Sequence, residues 1–421
     1  MNISRYIPST AGILASAALM LGGLATSCVD DNSLCVEDRP GYNPNDVVWL
    51  SFNLKNMTAV GETGSKTDTR ADDESGHPEE DAVPPESHVN TNDINLILFD
   101  NNRRLLKIFS PGEFAVVETV SGQDADYTLT FKVNQGYFTY AGTGDVNFSL
   151  MVVANLGGTG DTGHGVFTEN AFYAKTPYQI SESYLGFAYT GKNGNDPWTL
   201  EANSRLIPMS GIASMTMTQA QLESSTDATQ PLNLGTIDLQ RAMAKIRVLD
   251  LIQSDPDNTS NMRITGVDIV GFNNRGAYIP HNETWQRGTC VLESATDKGE
   301  WFDADAVCPT ISGTFSLTEN GTTATYPSFV AYTTECQLSN LADNVSPILR
   351  IYTNDNINGN RSFNVDVRQI GQTGDKHYTA IARNHIYEYR VSYNWEADVT
   401  VSYTVCPWFD QTIDVPPFVD N

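Results

Sequence analysis

The strongest constraint on the fold is the way apolar residues recur at every second position in short segments. Val48, Leu50, Phe52 and Leu54 follow this spacing, with mostly polar residues between them. A period of two is typical of a β-strand that buries one face. The nearly continuous apolar run Val146–Ala154 instead indicates a strand covered on both faces.

Further segments with strand character are separated by turn-rich stretches. They are Ile94–Phe99, Tyr127–Val133, Ile237–Leu249, Met262–Val270, Phe329–Tyr332, Ile348–Tyr352, Phe363–Val367, His385–Tyr393 and Val399–Val405. Many short strands with few helix caps predict an all-β fold of antiparallel β-sandwiches. A chain of 421 residues has room for two such domains in tandem. We expect them over residues 71–232 and 233–398, followed by a C-terminal strand and tail over 399–421.

The charge balance and the scattered histidines exclude several classes of function. Asp and Glu number 51 against 25 Lys and Arg, giving a formal charge of −26, which repels nucleic acid. The six His match no metalloenzyme motif. The carboxylates of Glu300, Asp303 and Asp305 resemble a hydrolase cluster, but such groups in an acidic protein are usually solvated. We therefore predict no catalytic residue, no metal and no cofactor.

The N-terminus has the pattern of an export signal. Arg5 precedes an apolar stretch that ends in small residues before Cys28, as in bacterial lipoprotein signals. Residues 1–27 are then the signal peptide, and Cys28 carries the lipid. The alternative is an ordinary secretory signal with a coincidental cysteine, and both interpretations place the protein outside the cytoplasm. Cys290 and Cys308 could then form a disulfide or remain buried thiols.

The stretch from residue 57 to 93 is rich in polar residues and prolines and predicts an exposed, mobile loop. Such loops are accessible to proteases, and this one contains Arg70 followed by Ala71. Cleavage between them would release residues 28–70 as a propeptide that includes the strand Val48–Leu54. The sheet would then expose a row of unpaired backbone groups.

The C-terminus combines a strand pattern with an apolar tail. Val399, Val401, Tyr403 and Val405 alternate with polar residues, and the tail contributes Trp408, Phe409, Ile413 and Val415. One interpretation is a donor segment that adds a strand to a neighbouring molecule. The other is the last strand of the chain's own domain, which suits Val399–Val405 better than it suits the tail.

Several short segments, in this order, resemble the fimbrillin family of Bacteroidales, the subunits of protease-assembled type V pili. Besides the lipoprotein signal and the loop with Arg70 and Ala71, they are Ile94–Asp100, Met151–Asn155, Pro208–Gly211, Leu239–Ile246, Arg383–Tyr387 and Thr404–Trp408. The resemblance implies transthyretin-like β-sandwiches and export to the outer membrane through lipid, including palmitate, on Cys28. It also implies cleavage after Arg70 by an Arg-specific protease.

In this family the vacated groove accepts the C-terminal segment of the next subunit, which polymerises the fimbrium by donor-strand exchange. The implied partners are copies of the chain, other fimbrial subunits and a host or bacterial adhesion ligand. An anchor or tip adhesin subunit is the nearest alternative. A different class, a monomeric glycan-binding surface lipoprotein, is suggested by the aromatic, Asn-rich stretch Asn170–Trp198.

Overall fold

The structure is a computed structural model of the chain. It describes residues 46–56, 86, 88–100, 105–109, 112–121, 124–138, 145–156, 186–188, 206–273, 275–278, 302–319, 322–334, 336–338, 347–367, 378–381, 383–394 and 398–407. These residues form 21 β-strands and one short α-helix, α1 (Gln219–Ser224). The predicted all-β fold class is confirmed.

The first half of the chain forms one eight-stranded sheet, which we call the N-terminal body. Its strands are β1 (Val47–Asn56), β2 (Ile94–Asp100), β3 (Leu105–Phe109), β4 (Phe114–Ser121), β5 (Asp124–Asn134), β6 (Val146–Ala154), β8 (Met209–Met217) and β9 (Leu232–Arg241), while β7 (Gly186–Ala188) lies outside this sheet. The spatial order is β3-β2-β6-β8-β9-β1-β5-β4. The first strand in the sequence therefore lies inside the sheet, between β9 and β5.

This sheet folds over on itself around a common core. The ring of Phe109 on β3, at one edge, lies 5.1 Å from that of Phe131 on β5, next to the other edge. Both rings belong to one cluster of buried apolar side chains that also includes the inward face of β1. Aromatic pairs at this spacing and near-perpendicular orientation pack favourably, so the two ends of the sheet face each other as in a sandwich.

The second half of the chain, which we call the C-terminal body, has two larger sheets. The five-stranded sheet has the order β14 (Ile311–Glu319), β15 (Thr322–Thr334), β10 (Met243–Asp250), β20 (His385–Asn394), β21 (Asp398–Pro407). The four-stranded sheet has the order β13 (Phe302–Pro309), β11 (Arg263–Asn273), β17 (Ile348–Asp355), β18 (Gly359–Asp366). Buried side chains of both sheets, such as Ile246 on β10 and Ile351 on β17, share one core cluster.

Most strand pairs are antiparallel, as predicted, but two are parallel. β1 runs parallel to β9, and β10 runs parallel to β20. Two further pairs form two-stranded sheets: β7 with β12 (Arg275–Ala277), and β16 (Cys336–Leu338) with β19 (Tyr378–Ile381). Among the described residues, no helix has the length and apolar character needed to cross a membrane.

The segment Ile237–Leu249, which the sequence predicts as one strand, is two strands. The first, β9, belongs to the N-terminal body, and the second, β10, to the C-terminal body, with Ala242 between them. The backbone N–H of Ala242 donates to the carbonyl oxygen of Pro208 at 2.8 Å. The change from one sheet to the other thus occurs at residue 242, ten residues after the predicted domain boundary at residue 232, which stays a prediction.

Candidate functional site

The predicted first strand, β1, lies in a position that we call the first-strand slot, the space between β5 and β9. It pairs with β5 antiparallel from Val47↔Asn134 to Leu54↔Tyr127, and with β9 parallel from Leu50↔Leu232 to Asn56↔Leu239. Both backbone edges of β1 are therefore used in hydrogen bonding. β1 therefore connects β5 and β9. Without it, backbone N–H and C=O groups of both strands would lack hydrogen-bond partners.

The inward face of β1 is fully buried. Val48, Leu50, Phe52 and Leu54 each have 0% exposed surface, and each lies opposite a buried residue of β5: Val133, Phe131, Leu129 and Tyr127. The Phe52 and Phe131 rings also pack edge to face at 5.8 Å. Full burial of such side chains stabilises a fold by about 1.5–3 kcal/mol each. The slot is thus an apolar groove shaped by alternating side chains.

The outward face of β1 makes polar and aromatic contacts. The Lys132 ammonium lies 6.0 Å from the centre of the Trp49 ring, and the Thr128 hydroxyl donates to the Asn53 amide oxygen at 3.0 Å. In addition, the backbone N–H of Trp49 donates to the backbone carbonyl oxygen of Ser225, directly after helix α1, at 2.7 Å. These contacts help to fix the register of β1 beyond the apolar alternation.

Three residues in the last part of the predicted exposed loop are buried, which corrects part of that expectation. Glu86 and Val89 each have 0% exposed surface, although the surrounding sequence is polar. Burial of a carboxylate requires partners that satisfy its charge, and the fold provides them. The correction applies to Glu86, Val89 and Asp93, which are buried, whereas Asn92 remains exposed as predicted.

Glu86 lies in a buried group that we call the Glu86 cluster: Glu86, Arg241, Lys245 and Tyr332. The Lys245 ammonium donates to Glu86 Oε1 at 2.8 Å, and the Tyr332 hydroxyl donates a hydrogen bond to the same oxygen. Arg241 Nε donates to the Glu86 carbonyl oxygen at 3.0 Å. Arg241 lies on β9, and the other two lie on β10 and β15, so the cluster draws on both bodies.

Burial within the Glu86 cluster keeps the Tyr332 hydroxyl protonated. Burial, reinforced by the nearby Glu86 carboxylate, raises the pKa of the Tyr332 hydroxyl well above its ordinary value of 10.0. The hydroxyl therefore remains a hydrogen-bond donor at any physiological pH. Asn384, with a positive φ of 55°, adds a further link, because its side-chain oxygen accepts from Arg241 Nη1 at 3.2 Å.

Residues 88–90 are held by side chains of the N-terminal body. The Asn155 amide nitrogen donates to the carbonyl oxygen of His88 at 2.8 Å, and its oxygen accepts from the Asn90 N–H at 2.8 Å. The Val89 N–H donates to the Tyr127 hydroxyl at 3.1 Å. Burial raises the pKa of Tyr127 to about 12. Asn155 has a positive φ of 64°, a conformation that Asn tolerates better than most residues.

The predicted C-terminal strand pairs within its own body. β21 is antiparallel to β20 from His385↔Pro407 to Asn394↔Asp398, at the edge of the five-stranded sheet. Val399 and Val401 are half-buried against the C-terminal core, and Tyr403 and Val405 lie further along the same strand. This arrangement agrees with the second interpretation of Val399–Val405. The role of donor segment stays a prediction.

Several predicted site residues lie outside the described part of the chain. These are Cys28, Arg70, Ala71, Trp408, Phe409, Ile413 and Val415, together with Cys290, Glu300 and nearly all of Asn170–Trp198. Cys308 is buried, with its sulfur 3.9 Å from the carbonyl oxygen of Tyr332. In the described ranges, no three His, Cys, Asp or Glu side chains group as a metal site would require. Asp305 is exposed.

The sequence reasoning missed Glu86 and Tyr332 altogether, although the chain carries a signal for them. Arg241 and Lys245 interrupt an apolar strand pattern, and a cation in a buried strand needs a buried acceptor. The family-like segments Leu239–Ile246 and Arg383–Tyr387 meet here, since Asn384 of the second contacts Arg241 of the first. What the sequence leaves open is which of the 51 acidic residues is the acceptor.

Comparison with known proteins gives remote structural similarities. No family model matches the sequence, and neither does any curated protein. A fimbrial assembly protein from Parabacteroides distasonis is 10% identical, with a TM-score of 0.46 over 88% of this chain and 99% of that one. A candidate cell adhesion protein from Bacteroides eggerthii is 13% identical, with a TM-score of 0.39 over 87% and 97% of the two chains.

A fimbrial protein from Bacteroides vulgatus is 9% identical, with a TM-score of 0.34 over 85% of this chain and 99% of that one. The alignments span nearly the full length of each of these proteins. The similarities are weak in both sequence and superposition, so the fold described above rests on the strand pairing of this chain.

Proposed function

We propose that this chain is a structural subunit of a cell-surface fimbrium that assembles by donor-strand exchange. It is exported as a lipoprotein through Cys28 and reaches the outer membrane. An Arg-specific protease then cuts between Arg70 and Ala71, and β1 leaves with the propeptide. A C-terminal segment of the adjacent subunit enters the first-strand slot, and repetition of this step builds the fimbrium, which supports adhesion to a host or bacterial ligand.

The single observation that carries this proposal is the position of β1. It is an interior strand, paired on both sides, yet it precedes Arg70 in the sequence and is joined to β2 only through the intervening chain. Losing it would expose the apolar side chains of the slot and unpaired backbone groups of two strands. Such a gap favours occupation by another strand with alternating apolar residues, the mode of recognition known as β-strand addition.

Two parts of the C-terminus are candidates for the donor. The tail after Pro407 contributes Trp408, Phe409, Ile413 and Val415, while Val399, Val401, Tyr403 and Val405 would have to leave their pairing with β20. We favour the tail as the primary donor because its use leaves the five-stranded sheet intact. Deleting residues 409–421 should then give a folded subunit that cannot extend a fibre. Fibres of normal length from that variant would place the donor elsewhere.

The decisive experiment is to determine the N-terminus of the mature protein recovered from the cell surface, by intact mass and terminal sequencing. We expect a start at Ala71. The matched control is Arg70→Lys, which preserves the positive charge but removes the site for an Arg-specific protease, and it should keep the propeptide. A lipidated Cys28 with an uncut loop in the unmodified protein would contradict the stalk role and favour an anchor subunit.

A polymerisation assay separates the fimbrial role from the glycan-binding alternative. After cleavage at Arg70 in vitro, the purified chain should form ladders of oligomers on electrophoresis without boiling, and the Arg70→Lys chain should remain monomeric. A cleaved chain that stays monomeric and binds a glycan array would overturn the proposal.

A further inference from the structure

We propose that the Glu86 cluster is a clasp that keeps the new N-terminal part of the processed chain attached to both bodies after β1 has left. The inference rests on the proposed function for the cleaved state, while the clasp itself can be measured in the uncut chain. In this role Glu86 is a positioning residue. It holds the stretch that leads into β2. Strand β2 belongs to the N-terminal body and stays in the chain after cleavage.

The first step of the argument is the place of Glu86 in the sequence. It follows Arg70 by 16 residues and precedes β2 by eight, so it stays with the processed chain. Cleavage removes the covalent link between β1 and this stretch. After cleavage, this stretch belongs to the new N-terminal segment of the chain. Terminal segments fray unless contacts hold them in place.

The second step is the strength and placement of the attachment. The Glu86 carboxylate is fully buried and accepts from Lys245 on β10 and Tyr332 on β15. The backbone carbonyl oxygen of Glu86 accepts a hydrogen bond from Arg241 on β9. A buried carboxylate with a cationic partner is difficult to replace, because removing one member leaves the other charge uncompensated in a dry environment.

The third step is that none of these contacts uses β1. The partners of Glu86 lie on β9, β10 and β15, and residues 88–90 are held by Asn155, after β6, and Tyr127 on β5. Loss of β1 therefore removes no donor or acceptor of these hydrogen bonds, although Tyr127 loses its strand partner Leu54. The clasp also connects strands of both bodies, so it resists their separation when force is applied along a fibre.

The test is hydrogen exchange of residues 88–93 in the full-length chain, before and after cutting by an Arg-specific protease. The reporting groups are the N–H groups of Val89, Asn90 and Asp93, all of which donate hydrogen bonds. In the unmodified protein, we expect these amides to stay protected after the cut. In Glu86→Gln, which loses the ion pair with Lys245, we expect exchange faster by about tenfold or more, in cut and uncut protein alike.

The matched control is Glu113→Gln. Glu113 also accepts from a lysine at 2.8 Å, but the Lys107–Glu113 pair is partly exposed to solvent, and solvent-accessible pairs contribute less than buried ones. Exchange at residues 88–93 should not change in this variant. If Glu86→Gln fails to fold, Tyr332→Phe replaces it as the test, since it removes one donor and preserves the ring, and it should shift exchange in the same direction by a smaller factor.

Two outcomes would overturn the clasp: equal exchange in the Glu86→Gln and unmodified chains, or loss of protection at residues 88–93 in the unmodified chain as soon as it is cut. Failure of the proposed function looks different. In that case the Arg70 loop resists the protease, or β1 stays protected after cleavage, and the comparison on uncut protein still decides the clasp.

Discussion

Strands β1 and β21 have nearly the same sequence pattern and opposite positions in the fold. Each has apolar residues at alternate positions, and each lies towards one end of the chain. β1 is an interior strand with two partners and a fully buried inward face. β21 is an edge strand with one partner, and Val399 and Val401 on it are half-buried. The alternation alone thus specifies a strand but not how much stability depends on it.

The largest expected difference between the two strands comes from their cores. Phe52→Ala on β1 removes a fully buried ring that packs on Phe131, and should destabilise the uncut chain by about 3–5 kcal/mol. The measurement is urea unfolding followed by intrinsic fluorescence. A loss below about 1 kcal/mol would mean that β1 contributes little to the N-terminal body, and it would remove the physical basis of the first-strand slot.

The matched truncation on β21 should have a smaller effect. Val401→Ala removes two methyl groups from a half-buried side chain, and we expect a loss of about 1 kcal/mol in the same unfolding experiment. If the loss equals that of Phe52→Ala, the edge strand is as integral as the interior one. The tail after Pro407 would then be the more credible donor by a wider margin.

A third effect is pH-dependent and concerns β20, the partner of β21. Burial by itself would raise the pKa of the Glu388 carboxyl, but the Arg247 and Arg390 guanidinium groups outweigh burial and lower it below its ordinary 4.5. Arg247 Nη2 lies 2.5 Å from Glu388 Oε2. Because the unfolded chain binds this proton more readily, the stabilising contribution is fully present above pH 4.5 and is lost as the pH falls through the lower, folded pKa.

Acid titration of stability, followed by thermal unfolding between pH 6 and pH 3, checks this prediction. The Glu388→Gln variant should lack this part of the acid dependence, while its stability at neutral pH is lower because Arg247 loses its buried partner. An identical acid dependence in both proteins would show that Glu388 titrates normally. The five-stranded sheet next to β21 would then lack this acid sensitivity.

The smallest effect is expected on the outward face of β1. Asn53→Ala removes the acceptor of the Thr128 hydroxyl, a partly buried hydrogen bond worth about 0.5–1.5 kcal/mol. Urea unfolding of Asn53→Ala beside Thr128→Val, which removes the donor instead, should give similar losses. A loss as large as that of Phe52→Ala would mean that polar contacts, rather than the apolar groove, hold β1 in the slot.

The sequence predicts strands well where one face is buried or both are. Val146–Ala154 has the predicted limits in the structure, and Val48–Leu54 is extended by one residue at its start and two at its end. The break at Ala242 was not predictable, because residues on both sides are buried and Arg241 and Lys245 give no local sign of where one strand ends and the next begins. Sheet membership there depends on long-range pairing, with β1 on one side and with β15 and β20 on the other.

The candidate site also has one part that the sequence predicts and one part that it does not. Local alternation predicts the inward face of β1, because each side chain's orientation follows from its own position in the strand. Glu86 could not be predicted, since its environment is made by Arg241, Lys245 and Tyr332, between 155 and 246 residues away in the sequence. A polar residue in a polar stretch gives no local sign that the fold will bury it.

The parallel pairing of β1 with β9 has a consequence for the order in which the sheet is completed. Leu50 pairs with Leu232, so this contact has to wait until more than 180 residues of intervening chain have been made. Contacts of such high sequence separation form late and slow the folding of a domain. β1 is thus the first of the described strands to be synthesised and among the last to acquire both neighbours. During that interval another strand with a similar pattern can compete with β1 for the first-strand slot.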